Sequence, residues 1–253
     1  MELNLEGKTV FITGGGGGLG SAITKAFAAE GADVAVNYIV DEEQVFKFVK
    51  KISADYGVRC IAVKGDISVP EDMSANVAET VDKFGKIDIL INNAGVWPTS
   101  FVVDMDDEEW DRTLRVNLNG PFYLSKRFVK HLIARKAKGK IVNIASQAAF
   151  HGSTSGHAHY AASKGGLVSF TVSLAREVAQ YGINVNAIAP GMARTPMNSG
   201  ALSEREDDYI KRIPLGRIAD PSEVANVIVF LASEKADYIT GATVDVSGGM
   251  LMR

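Results

Sequence analysis

The chain has one cysteine, Cys60, among its 253 residues, so no internal disulfide holds it together and the composition suits a reducing compartment such as the cytoplasm. A basic excess is also missing. The 27 lysines and arginines stand against 30 aspartates and glutamates, leaving no cationic footprint for nucleic acid or an anionic membrane. No apolar run approaches the roughly 20 residues of a membrane span, and the longest, around 227–232, suits a core helix. Residues 1–8 carry Glu2 and Glu6 and lack the cationic segment and apolar core of an export signal, so export is not expected. Linkers, repeats and low-complexity tracts are absent, which reads as one α/β domain over 1–253.

What is present is alternation. Short β-branched runs at 8–13, 33–37, 59–64, 87–92, 140–145, 184–189 and 243–246 read as strands, with amphipathic helical stretches between most of them. Strands separated by helices need right-handed crossovers, which gives a doubly wound, seven-stranded parallel sheet with helices on both faces. Ligands of such sheets bind at the carboxyl ends of the strands, and there the unusual residues gather: the glycines after Thr13, then Asn37, Asp66, Asn92-Asn93-Ala94-Gly95, Ser146 and Pro190-Gly191. Residues 194–220, with Pro196, Gly200, Pro214 and Gly216 around a charged helical piece, break the pattern and are expected to form a lid.

Thr13-Gly14-Gly15-Gly16-Gly17-Gly18-Leu19-Gly20 stands between an apolar strand and an amphipathic helix. A bare glycine run is usually a flexible linker; in this context it lets the backbone approach a pyrophosphate lying on the helix N-terminus. Tyr160-Ala-Ala-Ser-Lys164 puts a phenol and an ammonium on one helical face. A tyrosine with pKa about 10 is only roughly 0.1% ionised at neutral pH, so a nearby cation that favours phenolate makes an acid/base device of an otherwise ordinary exposed pair.

Taken together, the T-G-x-x-x-G-x-G pattern of Thr13, Gly14, Gly18 and Gly20, the Asn92-Asn93-Ala94-Gly95 turn, Asn117, Ser146, Tyr160-x-x-x-Lys164 and Pro190-Gly191-x-x-x-Thr195 resemble the short-chain dehydrogenase/reductase family in order and spacing, over essentially the whole chain. The resemblance implies a Rossmann fold and a nicotinamide dinucleotide bound by Thr13, Gly14, Gly15, Gly16, Gly17, Gly18, Leu19 and Gly20. Asp66 and Ile67 would flank the adenine, Asn93, Ala94 and Gly95 would run past the ribose and phosphates, and Pro190, Gly191, Ala193 and Thr195 would meet the nicotinamide carboxamide. It also implies hydride transfer between a ketone or aldehyde and an alcohol. In that reaction Tyr160 is the acid/base, Ser146 holds the substrate oxygen, Lys164 lowers the Tyr160 pKa and holds the nicotinamide ribose, and Asn117 kinks its helix and opens a water relay. Read singly, Ser146 is an ordinary cap serine and Asn117 a satisfied buried amide. The second strand ends Asn37-Tyr38, where an NAD(H) enzyme commonly carries an acid. Neutral Asn37 removes repulsion against a 2′-phosphate, although the base that NADP(H) relatives often carry is Gly17 here, and the expectation is NADP(H) over NAD(H).

Three histidines, His151, His157 and His159, precede Tyr160. Without cysteine or an H-E-x-x-H spacing they point to no metal, and the loop is expected to line the substrate cleft, with His151 or His157 and Trp97 against a polar small molecule. Trp110 reads as core or interface. The helix at 160–179 is apolar nearly all round and needs cover on more than one face; relatives form tetramers through it, so a homotetramer is expected. Ser173-Leu174-Ala175-Arg176-Glu177-Val178 and Gly248-Gly249-Met250 look like 3-oxoacyl-[acyl-carrier-protein] reductases, with Arg176 fitting one carrier contact and Ala137 standing where a second arginine belongs. Arg194, Asn198 and the histidines favour a sugar, polyol or hydroxy acid instead. A non-catalytic NAD(P)-sensing regulator is the reading from another class, and the intact Ser146, Tyr160 and Lys164 argue against it.

Overall fold

Strand alternation sorts the core into two layers. In a computed structural model describing residues 2–153 and 155–253, β1 (Thr9–Ile12), β2 (Asp33–Tyr38), β3 (Cys60–Lys64), β4 (Ile89–Asn92), β5 (Gly139–Ile144), β6 (Ile183–Pro190) and β7 (Thr243–Val246) form one parallel sheet in the order β3-β2-β1-β4-β5-β6-β7. Val10, Ile12, Val34, Val36, Ile89 and Ile91 face one layer, where α1 (Gly18–Ala29), α2 (Glu42–Tyr56) and α9 (Pro221–Ala232) supply Phe27, Val45 and Ile228. The intervening Phe11, Ala35 and Leu90 face the other layer, where α3 (Pro70–Phe84), α5 (Gly120–Ala134) and α7 (Ala158–Val178) supply Met73, Phe128 and Leu174. A period of two thus separates the two sides of a sheet buried on both.

The expected strands are all present, with ends moved by one or two residues. β4 starts two residues late because the Ile87 amide donates to His131 Nε2 at 3.2 Å, outside the ladder. β1 pairs with β2 on one side and β4 on the other, so the strand order reverses beside β1 and opens a crevice at the carboxyl ends. A π-helical turn, Arg115–Asn119, joins α4 (Asp107–Leu114) to α5, where the sequence pointed to a kink at Asn117. α6 (Ala148–His151) is one turn, and α8 (Ser199–Lys211) lies within the expected lid. Among the described residues no helix is long and apolar enough to cross a membrane.

Candidate active site

The glycine loop keeps its path only because its residues lack a Cβ. A Cβ on Gly20 would be driven into the Gly14 carbonyl oxygen, and one on Gly16 would lie 2.8 Å from Val45 Cγ2 in the first turn of α2. Gly15 accepts the Thr24 hydroxyl at 3.0 Å and donates to the Asn37 carbonyl at 3.2 Å. α1 then begins with no side-chain cap and no acid in its first turn, so its amides and positive dipole end are free for an anion. This cradle fits the pyrophosphate of a dinucleotide. Leu19 packs on the core below it.

Thr13 is the rivet of the loop. Its buried hydroxyl accepts from the amides of Asn93 and Ala94, both at 2.9 Å, and Asn93 Nδ2 returns to the Thr13 carbonyl at 2.9 Å. The Asn92-Asn93-Ala94-Gly95 turn is thereby sewn to the glycine loop. At Gly95 a Cβ would lie 3.0 Å from Asn117 Oδ1 and 3.6 Å from Lys164 Nζ, so this glycine admits both side chains.

Ser146, Tyr160 and Lys164 converge beyond β5. Ser146 follows the strand, and Lys164 Nζ reaches back to donate to the Ile144 carbonyl at 2.7 Å while lying 5.7 Å from the centre of the Tyr160 ring. The sequence expectation that Lys164 lowers the Tyr160 pKa is not what the folded chain produces. Burial raises the phenol above its ordinary value, with the Ser146 hydroxyl pulling it down, and burial lowers Lys164 to about 8. Desolvation opposes charge on both groups, so it outweighs their mutual stabilisation in the chain alone.

Asn117 ties two segments together. Its Oδ1 accepts from the Val96 amide at 2.8 Å, and its Nδ2 donates to the Val96 carbonyl at 2.9 Å and to Ser163 Oγ at 3.1 Å. Both N–H groups are engaged, so the side-chain amide clamps the Asn-Asn-Ala-Gly turn to α7. Ser163 in turn donates to the Tyr160 carbonyl at 2.7 Å, tying the clamp to the tyrosine's backbone.

The family model described as enoyl-(acyl carrier protein) reductase matches residues 15–251. The chain belongs to the short-chain dehydrogenase/reductase family. It is an oxidoreductase. The 3-oxoacyl-[acyl-carrier-protein] reductase of Staphylococcus aureus is 37% identical over 245 residues, covering 97% of this chain and 98% of its own. Its counterpart in Thermotoga maritima is 37% identical over 99% of this chain and 100% of its own. The crystal structure of a short-chain dehydrogenase/reductase, glucose/ribitol dehydrogenase, from Brucella melitensis superposes with a TM-score of 0.92 at 38% identity, covering 100% of both chains. The family uses nicotinamide dinucleotides, in keeping with the glycine cradle.

Around the core of this short-chain dehydrogenase/reductase, several expected contacts are engaged elsewhere. Asn37 lies on the α3 side of the sheet, where its Nδ2 donates to the Gly65 carbonyl and to Asn76 Oδ1, both at 2.9 Å. Tyr38 turns to the other layer and packs edge-on against Phe46, its pKa raised by burial and by Glu42. The Asp66 carboxylate accepts the Ser68 amide at 2.8 Å, and Ile67 is buried beneath Gly120.

Pro190 ends β6, and the Gly191 amide donates to the Val246 carbonyl at 3.0 Å. Ala193 is buried and bridges to Ala219, pinching the lid at its base. The Thr195 amide and hydroxyl both donate to Asn198 Oδ1 at 3.1 Å, and a Cβ on Gly18 would lie 3.6 Å from Thr195 Cβ, so the lid starts directly over the glycine loop. Arg194 pairs with Glu206 of α8 at 3.0 Å, and Asn198 Nδ2 donates to the Ala193 carbonyl at 2.7 Å.

The histidines diverge. His157 stacks on Trp97 with ring centres 4.3 Å apart and bonds the Pro98 carbonyl through Nδ1 at 2.7 Å, while burial lowers its pKa. Each ring is thus the other's packing partner. His159 is buried within α7 and bonds Glu109 at 3.1 Å, and His151 is exposed at the end of α6. Trp110 is 36% exposed, so it is no core residue.

Two residues near these groups were not singled out in the sequence: Asp41, exposed before α2, and Gln147, which follows Ser146. A count of about 20 residues from the glycine motif to the ribose acid reaches Asp41, whereas nothing in the sequence marks Gln147.

Proposed function

We propose that this chain interconverts a small ketone or aldehyde with its alcohol, with Tyr160 as acid/base and NAD(H) as the preferred dinucleotide. The observation that carries the reading is the convergence of Ser146, Tyr160 and Lys164 beside a glycine cradle that Asn93 and Thr13 lock to the same crevice. A bound nicotinamide supplies or accepts the hydride. Tyr160, kept protonated by burial, donates to the developing alkoxide in reduction, and as phenolate takes the alcohol proton in oxidation. The Ser146 hydroxyl holds that oxygen, and Lys164 presents the cation that stabilises phenolate.

The preference for NAD(H) departs from the expectation built on Asn37. The rim beyond β2 is Ile39, Val40 and Asp41, all exposed, and Asp41 holds a left-handed φ of 57° at the start of α2 without its carboxylate capping the helix. Its carbonyl accepts the amide of Val45, the residue that Gly16 abuts, which sets Asp41 beside the loop. The nearest cation on this rim, Lys64, is paired with Glu42 at 2.8 Å, and Gly17 adds none. An uncommitted carboxylate suits ribose hydroxyls and repels a 2′-phosphate. Titrating protein fluorescence with each reduced dinucleotide should give NADH roughly tenfold tighter binding than NADPH, and Asp41→Ser should erase most of that gap. Tighter NADPH binding would overturn the preference. The same proteins, given ketones, aldehydes and an acetoacetyl thioester, should oxidise NADH with at least one carbonyl. Binding without turnover would leave the regulator reading.

The relatives favour a second reading, reduction of a 3-oxoacyl thioester. Arg176 is exposed as a carrier contact requires, whereas Ala137 is partly buried against the core and leaves only Lys136 and Lys138 outside.

A homotetramer completes the proposal. Phe122, 43% exposed on α5, meets Phe170 of α7 edge-on at 6.0 Å, an aromatic ridge that a second copy would cover. Light scattering should return four chains per particle; a monomeric mass would refute this.

A further inference from the structure

We propose that Gln147 reads a hydroxyl group on the carbon next to the reacting one, so that the substrate is a vicinal hydroxy-carbonyl compound and its diol, as in polyols and sugar acids. The inference rests on the Ser146 and Tyr160 assignment above and names the substrate class of that site.

Gln147 directly follows Ser146, and its amide donates to the Pro190 carbonyl at 3.1 Å, which stations it between the carboxyl ends of β5 and β6. The residue is buried, with 8% exposure, yet its Oε1 has no hydrogen-bond partner, and its Nε2 reaches only the thioether of Met250 at 3.2 Å. A thioether is a weak acceptor, and turning the amide over would merely leave the N–H group orphaned instead. Burying such a group unpaired is destabilising, and an apolar side chain of the same size would avoid that cost.

Of the other buried orphans, Thr9 lies at the amino end of β1, Asn92 Oδ1 is inside the sheet beside Ser125 and Asn143, and His159 faces α4. Gln147 differs in sitting next to the proposed substrate anchor. Its one hydrogen-bond partner, Met250, packs on the cluster of Leu202, Ile213 and Ile218, so the group beside Nε2 is a flexible side chain lying against the lid. A donor must arrive with the substrate. A 3-oxoacyl thioester offers only acceptors beside its reacting carbonyl and would leave Oε1 unpaired. A neighbouring hydroxyl donates to Oε1 and accepts from Nε2, satisfying both ends.

The test compares kcat/KM for butane-2,3-diol and butan-2-ol, which share a carbon skeleton, with NAD⁺, alongside reduction of an acetoacetyl thioester. The wild type should favour the diol by roughly 10- to 100-fold, the ratio expected when a buried acceptor loses its donor. Gln147→Leu should collapse the ratio to about threefold or less, chiefly through KM for the diol, with NADH binding and melting temperature kept, and Gln147→Glu, which retains the acceptors, should restore it. An unchanged ratio in Gln147→Leu, or a wild type that prefers the thioester, overturns the inference while leaving the dehydrogenase reading intact. Failure to turn over any alcohol or carbonyl overturns both.

Discussion

Replacing Tyr160 with Phe lowers kcat by roughly 10²- to 10⁴-fold, the range that a positioned proton donor contributes, while the Kd for NADH moves by less than about threefold. The substitution removes one oxygen and keeps the ring, so α7 and its contact with Ser163 through the Tyr160 carbonyl persist. Burial holds the phenol above its ordinary pKa and only Ser146 opposes it. The proton for the alkoxide is therefore present at neutral pH, and losing it cannot be offset by a neighbouring acid: His159 points to Glu109 and His157 to Pro98. Steady-state rates in both directions and fluorescence titration of NADH check this. A variant that retains more than about a tenth of wild-type kcat would remove Tyr160 from the mechanism.

Lys164→Met abolishes measurable turnover and makes the unliganded protein more stable near neutral pH. The ammonium is 4% exposed and bonded to the Ile144 carbonyl, and burial drags its pKa from 10.5 to about 8. That drop corresponds to roughly 3 kcal/mol against the charged form, an upper bound on what an uncharged side chain of similar length recovers. The folded pKa lies below the unfolded one. Between pH 8 and 10.5 the unfolded chain therefore holds a proton that the folded chain has released, and wild-type stability gains from Lys164 as pH rises through that window, with the full cost present below it. The variant lacks this slope. Urea unfolding of both proteins near neutral pH and in the alkaline window should show the stability gap narrowing as pH rises; a variant less stable than wild type at neutral pH would refute it. A cation retained at such a cost fits a functional site better than a structural one.

Much of the fold was legible because it depends on local patterns. Runs such as Val10-Phe11-Ile12 are strands buried on both faces wherever they occur. The glycine loop, the Asn-Asn-Ala-Gly turn and the Tyr160-to-Lys164 spacing are backbone and helical periodicities that sequence displays directly. The surroundings of Asn37 were not legible for a physical reason: neutrality is visible in sequence, but the layer a strand residue faces depends on register, and the register of β2 places Asn37 beside Asn76 of α3. The histidines were grouped because they are close in the chain. α7 begins at Ala158, so the helix carries His159 inward to Glu109 and leaves His157 against Trp97.

The sequence alone determined the doubly wound sheet, the anion cradle and the Tyr160 and Lys164 pair proposed for the proton transfer, since each follows from residue types at fixed short spacings. Only the tertiary structure decided the state of that pair and its surroundings. Desolvation raises Tyr160 and lowers Lys164, Asn117 is a clamp because Val96 and Ser163 occupy it, and Gln147 Oε1 is left without a partner while Nε2 meets a thioether 103 residues away. Burial and partnership are properties of contacts between distant segments, and those contacts exist only once the chain has folded.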